Sequence, residues 1–481
     1  MSPESVRPAF LGIDLGTSQV KALLLAPDGR TLGRGRAQYA VAVPTGGQAE
    51  TDPEDWWHAA GQAVRDALIT ARGAAVTVEV KGMAVAGQMH GVVLCDAVGA
   101  PLRPAILWLD RRAAAEAARY GEVPAGLTKP LGNQPSPGMA GPILRWLATH
   151  EPAAVGRARW ALQPKDWLRL RLTGEAATDP TDASGTLLFD LAHGTWAADL
   201  IRELGLPADK LPGIGEPASP AGRLLPAAAA HLGLEPGVPV ATGAADTAAA
   251  LFAAAPPADA ALLTLGTGGQ WIAPGAAWPT ATTNLFRAIG GGLYQLAAVQ
   301  NMGETFNWVR TMLGVSWEHA YSLAGRPWRA DTPVFLPYLA EERWEPSARG
   351  AWAGLTLAHD RDDLLRSALE GLAFLLAGRL ADLRAAGHDP KRAVIGGGSS
   401  RHPAWRQLLA DVLGLPLYPA STSWLSATGA AMVAGAATGT LPGGDGGHRS
   451  EEEKEAITPV EPGAARAGYG RFLTLSRMKG L

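Results

Sequence analysis

Cysteine is almost missing from the 481 residues: Cys95 stands alone. A lone cysteine excludes an intrachain disulfide and any thiolate metal cluster. It lies in the apolar run Val92-Val93-Leu94-Cys95, where it reads as a buried structural thiol. An excess of one charge is missing too. The net charge is −3, so the chain offers no basic face for nucleic acid. Met1 to Pro8 lacks a basic region followed by an apolar core, so no signal peptide is expected. The uncharged region after Ala260 is cut by Gly, Thr, Pro and Trp into short runs, so no membrane span is expected there. Neither a Walker loop nor a Gly-x-Gly-x-x-Gly fingerprint occurs. A serine-hydrolase elbow and a zincin motif are absent as well, which leaves hydrolytic and metal-centred chemistry unsupported. The expectation from these absences is a cytoplasmic protein without a nucleic-acid or membrane partner.

What is present is ordinary globular material. Hydrophobic residues make up 47% and charged residues 18%, enough to bury a large core. The length suggests roughly two to four domains. The 59 glycines and 37 prolines are spread along the chain and read as turns.

One stretch organises the rest. Leu11-Gly12-Ile13-Asp14-Leu15-Gly16-Thr17-Ser18-Gln19-Val20-Lys21 is apolar on entry, acidic at its centre and Gly/Thr-rich at its turn. It reads as strand, tight turn and strand, ending at Pro27-Asp28-Gly29. Such a turn exposes backbone N–H groups and the hydroxyls of Thr17 and Ser18, a cradle for phosphate oxygens. Asp14, at the strand end, suits a magnesium ion, which prefers oxygen ligands. The same residues also fit a plain hairpin in which Gly16 permits the turn and Asp14 caps it.

The device recurs. Ala261-Leu262-Leu263-Thr264 leads into Leu265-Gly266-Thr267-Gly268-Gly269-Gln270, and a third glycine turn follows at Ile395-Gly396-Gly397-Gly398. Three glycine turns in two halves suggest a cleft between two related domains that holds a nucleotide. This pattern resembles the sugar-kinase, chaperone and actin-like ATPase superfamily. Within it, the chain resembles the FGGY carbohydrate kinases, of the xylulokinase kind, from about Phe10 to Tyr469.

The resemblance implies an α/β, two-domain ribonuclease H-like fold with a nucleotide and sugar cleft between the domains. It implies an N-terminal domain over 8–238 and a C-terminal domain over 239–481. Ala86-Gly87-Gln88-Met89-His90-Gly91 resembles the family's sugar-contacting segment, which makes Gln88, Met89 and His90 sugar contacts. Read without the resemblance, it is a turn with a partly buried histidine. Leu107-Trp108-Leu109-Asp110-Arg111 follows, with Leu109 where the family has asparagine. Asp110 either binds sugar hydroxyls or forms a surface ion pair with Arg111. Pro137 to Trp146 resembles the first FGGY signature, with Ile143 replacing a lysine. Lys165, Asp166, Asp179 and Asp182 fall in a matching stretch and read as structural charges.

Asp246, in Gly243-Ala244-Ala245-Asp246-Thr247, precedes an alanine-rich run and reads as a helix cap. An acid in a mostly apolar cleft can also accept a hydroxyl proton, and the family places its general base here. Phe335 to Arg343 resembles the family's Leu-Pro-Tyr-Leu loop. Gly350 to Glu370 matches the second FGGY signature and enters a helix that stops near Gly387. Gly443 to Glu455 is polar and reads as mobile, with a helix after Pro459.

The implied activity is ATP-dependent phosphorylation of a small sugar, D-xylulose to D-xylulose 5-phosphate. Asp246 and Asp14 are the catalytic candidates, with Asp14 also the Mg2+ ligand. Gln88, Met89, His90 and Asp110 are the sugar candidates. Gly16, Thr17, Ser18, Lys21, Gly266, Thr267, Gly397 and Gly398 are the ATP candidates. Family habit implies a homodimer. Other ketose or polyol kinases (ribulose, gluconate or glycerol) stay open because of Leu109 and Ile143. So do a nucleotide-driven binding protein and an inactive regulatory sugar-binding protein.

Overall fold

The computed structural model of the chain describes residues 6–43, 47–275, 280–340, 342, 347–441 and 455–477. Glu341, Arg343 and most of the polar stretch from Gly443 lie outside the described residues. The chain forms two compact units. One comprises Met1–Ala255, Phe286–Leu293 and Trp424–Arg449; the other comprises Pro256–Leu285, Tyr294–Ser423 and Ser450–Leu481.

The first unit is built on the strand Val6–Leu15. It runs antiparallel to Gln19–Leu25, which runs antiparallel to Thr31–Gln38. Successive side chains of a strand face opposite ways, and here both faces are buried. Leu11, Ile13 and Leu15 join Trp56, Ala60, Ala63, Val64 and Ala67 in one core. Phe10 and Leu23 join Ala427 and Ala431 in another. The first core is completed by the helix Pro53–Gly73, which starts as its sequence requires. Asp52 is the N-cap and accepts from the Glu54 N–H, Pro53 opens the helix, and Glu54 and Asp55 fill the first turn. The second core is completed by the helix Leu425–Ala437. A Cβ on Gly12 would lie 2.0 Å from the Ala427 carbonyl oxygen, so only glycine admits that helix.

After the helix Pro53–Gly73 the chain returns as Thr77–Gly87, parallel to Val6–Leu15. The strand is longer than the Val80–Val85 core that its sequence suggests. Pro239–Ala241 pairs in parallel with its other edge, so this unit continues past the boundary expected at Pro239. Cys95 is buried in the strand Val93–Cys95, as expected.

The second unit repeats the topology. Ala260–Leu265 runs antiparallel to Gly269–Pro274, which runs antiparallel to Leu293–Val299. Ala260–Leu265 also pairs in parallel with Arg392–Gly396, which pairs in parallel with Leu417–Pro419. The crossover is the helix Arg361–Ala385, begun by a capping box of Asp360 and Asp363. Its Leu365, Leu369, Leu372 and Leu376 pack with Leu263, Leu265 and Trp271. Each unit therefore carries a three-stranded meander, after which a helix returns the chain to a strand parallel to the meander's first. This is the expected ribonuclease H-like α/β arrangement, present twice. The expected terminal helix is Pro462–Ser476. Among the described residues no helix is long and apolar enough to cross a membrane.

Candidate active site

The first unit gathers its chemistry at the C-terminal end of Thr77–Gly87. Asp14 pairs with Ala86 on one edge of that strand. On the other edge Ala244 pairs with Ala86 and Ala245 with Gly87, and Asp246 is the next residue. The two acids thus flank one strand end, where parallel α/β sheets place their ligands. Asp14 is only 4% exposed. Lys21, opposite it in the hairpin, donates from Nζ to Asp14 Oδ2 at 3.1 Å. The Asp14 carboxylate holds the Lys21 ammonium above its ordinary range against the pull of burial, with a further contribution from Asp246.

Asp246 is the first residue of the helix Asp246–Ala254, not its cap. The N-cap is Ala245, which makes no side-chain cap. Asp246 Oδ1 accepts the Thr247 N–H at 2.6 Å and the Thr247 hydroxyl at 3.1 Å. Burial, and then repulsion from Asp14, push the Asp246 carboxyl up to about 7; the Thr247 hydrogen bonds and Lys21 pull the other way. An acid poised there exchanges a proton near neutrality, as a general base must. Two carboxylates facing one ammonium leave an excess of negative charge on hard oxygen donors. That donor set fits Mg2+, with Asp14 as the ligand best placed at a strand end.

The Gly16-Thr17 turn is braced from behind. The Gly16 N–H donates to the Gln19 carbonyl at 3.1 Å. The Tyr39 hydroxyl donates to the Gly16 carbonyl, and Trp108 Nε1 donates to Thr17 Oγ1 at 3.0 Å. Ser18 is exposed, while Gly16, Thr17 and Lys21 are partly exposed. Trp108 is therefore a brace of this turn.

Gln88 follows the strand end, its N–H donating to the Leu15 carbonyl at 2.9 Å. Its Nε2 reaches the Tyr39 hydroxyl at 3.3 Å. Its buried Oε1 has no partner among the described residues, so it can accept from a ligand hydroxyl. His90 holds φ at +78°, an uncommon backbone for histidine. Two contacts fix it there: its N–H donates to Gln163 Oε1 at 2.8 Å, and its Nδ1 meets the Gly185 carbonyl at 2.6 Å. The second bond calls for a proton on Nδ1. A Cβ on Gly185 would lie 2.7 Å from Met89 Cε and 3.0 Å from the His90 ring, so Gly185 forms the floor under both.

Asp110 is buried, and its ion pair is with Arg112, correcting the surface pair with Arg111. Arg112 Nη2 lies 2.8 Å from Asp110 Oδ2, and the Ala49 N–H donates to the same oxygen at 2.7 Å. Asp110 Oδ1 accepts the Arg112 N–H at 2.8 Å.

Behind the site lies a buried charged core. Lys165 Nζ is 2.5 Å from Asp166, 2.7 Å from Asp179 and 3.3 Å from Asp182. Three carboxylates outweigh burial and hold Lys165 above its ordinary range. Burial, with Asp166 and Asp179 alongside and against the pull of Lys165, holds Asp182 well above the usual carboxylate range. The structural role expected for these charges is met, but in the interior rather than in a turn.

The second unit presents its own turns. Gly266, Thr267 and Gly398 are exposed. Gly397 and Gly303 are not free to change. A Cβ on Gly397 would lie 2.2 Å from the Leu265 carbonyl oxygen, and one on Gly303 would lie 2.3 Å from that of Gly266. Glu342 secures this region by accepting the Gln300 and Asn301 N–H groups at 3.0 and 2.9 Å. The sequence marks Glu342 only as part of the Leu-Pro-Tyr-Leu resemblance. Tyr39 and Gln163 carry no such mark.

Comparison with known proteins decides the family. Residues 9–253 match the N-terminal domain of the FGGY family of carbohydrate kinases, and 262–438 match its C-terminal domain. The chain belongs to the FGGY family of carbohydrate kinases. It is a carbohydrate kinase, with ATP as its phosphoryl donor. A xylulose kinase of Escherichia coli strain K12 is 36% identical over 422 residues, covering 85% of each chain. The crystal structure of xylulose kinase from Rhodospirillum rubrum superposes with a TM-score of 0.82 at 31% identity, covering 97% of this chain and 98% of its own. A Plasmodium falciparum glycerol kinase shares the fold at a TM-score of 0.85 and 18% identity, with 98% of this chain and 99% of that one covered.

Proposed function

We propose that this kinase transfers the γ-phosphoryl group of ATP to the terminal hydroxyl of D-xylulose, giving D-xylulose 5-phosphate and ADP, with Asp246 as general base. The observation that carries the mechanism is the Asp246 carboxyl poised at about 7 across the strand end from Asp14. The similarity to xylulose kinases carries the choice of sugar.

The terminal hydroxyl gives its proton to Asp246 as its oxygen attacks the γ-phosphorus, and the β–γ bridging bond breaks toward ADP. Asp246 is ionised for this step above its own pKa. Mg2+, held through Asp14, would neutralise charge on the phosphate oxygens. Gly16, Thr17 and Ser18 supply backbone N–H groups and hydroxyls to phosphate, and Lys21 adds a cation beside them. In the second unit, Gly266, Gly397 and Gly398 offer bare backbone to the nucleotide, and Thr267 offers its hydroxyl. Gln88 Oε1 accepts a sugar hydroxyl; Met89 and His90 shape the wall. Asp110, engaged by Ala49 and Arg112, acts on the sugar by holding its loop. Positioning and charge neutralisation do most of the work in such a transfer.

The test is ADP release from MgATP across D-xylulose, D-ribulose, D-gluconate and glycerol. Strong stimulation by D-xylulose is expected. A preference for another acceptor would keep the kinase and move the substrate, with Leu109 the first position to examine.

A further inference from the structure

The helix that starts at Asp246 has no cap of its own, because Ala245 has no side-chain acceptor. The Ala245 N–H is held from outside. It donates to Thr181 Oγ1 at 2.8 Å. The Thr181 hydroxyl in turn donates to Asp179 Oδ1 at 2.5 Å, and the Thr181 N–H donates to the same oxygen at 2.8 Å. Asp179 is anchored by Lys165 at 2.7 Å. A second tie runs beside the first: Arg169 Nη1 donates to the Thr242 carbonyl at 3.1 Å. Lys165, Arg169, Asp179 and Thr181 are all fully buried. The segment from Thr242 to Asp246 is therefore pinned at two backbone points by one ionic core.

Only a hydroxyl accepts from one group while donating to another in this way. Thr181→Val would keep the shape, orphan the Ala245 amide and leave Asp179 Oδ1 with only the backbone N–H of residue 181. The tie sits one residue before the carboxylate, so its loss acts on where Asp246 points. General-base efficiency depends steeply on that geometry.

We propose that Thr181 is the positioning residue for Asp246, its hydroxyl linking the buried Asp179–Lys165 pair to the backbone on which the base is mounted. The proposal rests on the reading of Asp246 as base, and the experiment separates the two.

Steady-state transfer from MgATP to D-xylulose is measured for Thr181→Val, Thr181→Ala and Thr181→Ser, alone and with Asp246→Asn. Removing the hydroxyl, with or without its volume, is expected to lower kcat by roughly tenfold or more while the KM for D-xylulose stays within about threefold. Serine keeps the hydroxyl and is expected to keep kcat within about twofold. On the Asp246→Asn background, Thr181→Val or Thr181→Ala adds no further loss, because the residue acts through the base. Unchanged kcat in both hydroxyl-free variants would overturn the proposal. So would an equal loss in the serine variant, or an undiminished further loss on the Asp246→Asn background. Wild-type turnover in Asp246→Asn by itself would instead sink the reading of Asp246 as base.

Discussion

Asp14 and Asp246 stand on opposite edges of the same strand end, joined through Ala86: Asp14 pairs with it directly, and Ala244 pairs with it from the other side. Lys21 answers only one of the two charges with a hydrogen bond, that of Asp14. The second acid is left to titrate near neutrality, and its behaviour should be visible in both rate and stability.

The rate prediction follows from the direction of the shift. Asp246 is a base only when ionised, and its carboxyl is pushed up to about 7. The kcat for sugar phosphorylation should therefore rise with pH through about 7 and level off above it. A pH–rate profile under saturating MgATP and sugar checks this. A flat profile from pH 5.5 to pH 8 would be inconsistent with Asp246 as the base.

The stability prediction has the opposite sense. A carboxyl whose folded pKa lies above its unfolded value costs stability as pH rises past the unfolded pKa, because the unfolded chain sheds the proton first. That cost is absent at pH values below the unfolded pKa, grows between the two pKa values and is complete above about 7. Asp246→Asn should thus melt at a higher temperature than wild type at pH 8. The gap should narrow as pH falls to 5. Thermal melts of both proteins at the two pH values decide it.

In the second unit, Gly303→Ala puts a methyl group where the Gly266 carbonyl oxygen stands 2.3 Å away. The exposed Gly266–Thr267 turn must shift to admit it. The expected outcome is a KM for ATP raised by roughly tenfold, against a KM for sugar that hardly moves. Equal effects on both would show that the turn does not serve the nucleotide.

Lys165→Met removes the cation shared by Asp166, Asp179 and Asp182. Breaking a buried ionic cluster by removing one partner costs about 3–5 kcal/mol. Chemical denaturation should report a loss of that order. Lys165→Arg should recover little of it, since a fork does not fit a site built around one point charge.

The fold was largely legible because its decisive segments are periodic. Leu11, Ile13 and Leu15 alternate with Phe10, Gly12 and Asp14, and the Gly16-Thr17 turn then repeats as Gly266-Thr267. The helix from Pro53 announces itself by its cap and its acidic first turn. The reading of Asp246 as a base comes only from the family resemblance, since local pattern alone reads it as a helix cap. The burial of the ionic core around Lys165 was hidden because a Lys-Asp pair followed by an Asp-rich turn reads as structural charge at a turn. Only tertiary packing, with Lys165 pressed against Gly87, turns it inward. Tyr39 and Gln163 were hidden for the same reason, being polar residues in unremarkable settings. The helix Leu425–Ala437 is small and apolar all round, so nothing in it names the sheet it covers.

The central claim is that Asp246 takes the proton of the sugar hydroxyl, and Asp246→Asn tests it most directly. The variant keeps the shape of the side chain and removes its basicity. Turnover of D-xylulose with MgATP is measured beside calorimetric titration of D-xylulose into the same protein. The account predicts a kcat lower by about 10²–10⁴-fold with sugar affinity within about threefold of wild type. Wild-type kcat in a variant that binds the sugar normally would contradict it.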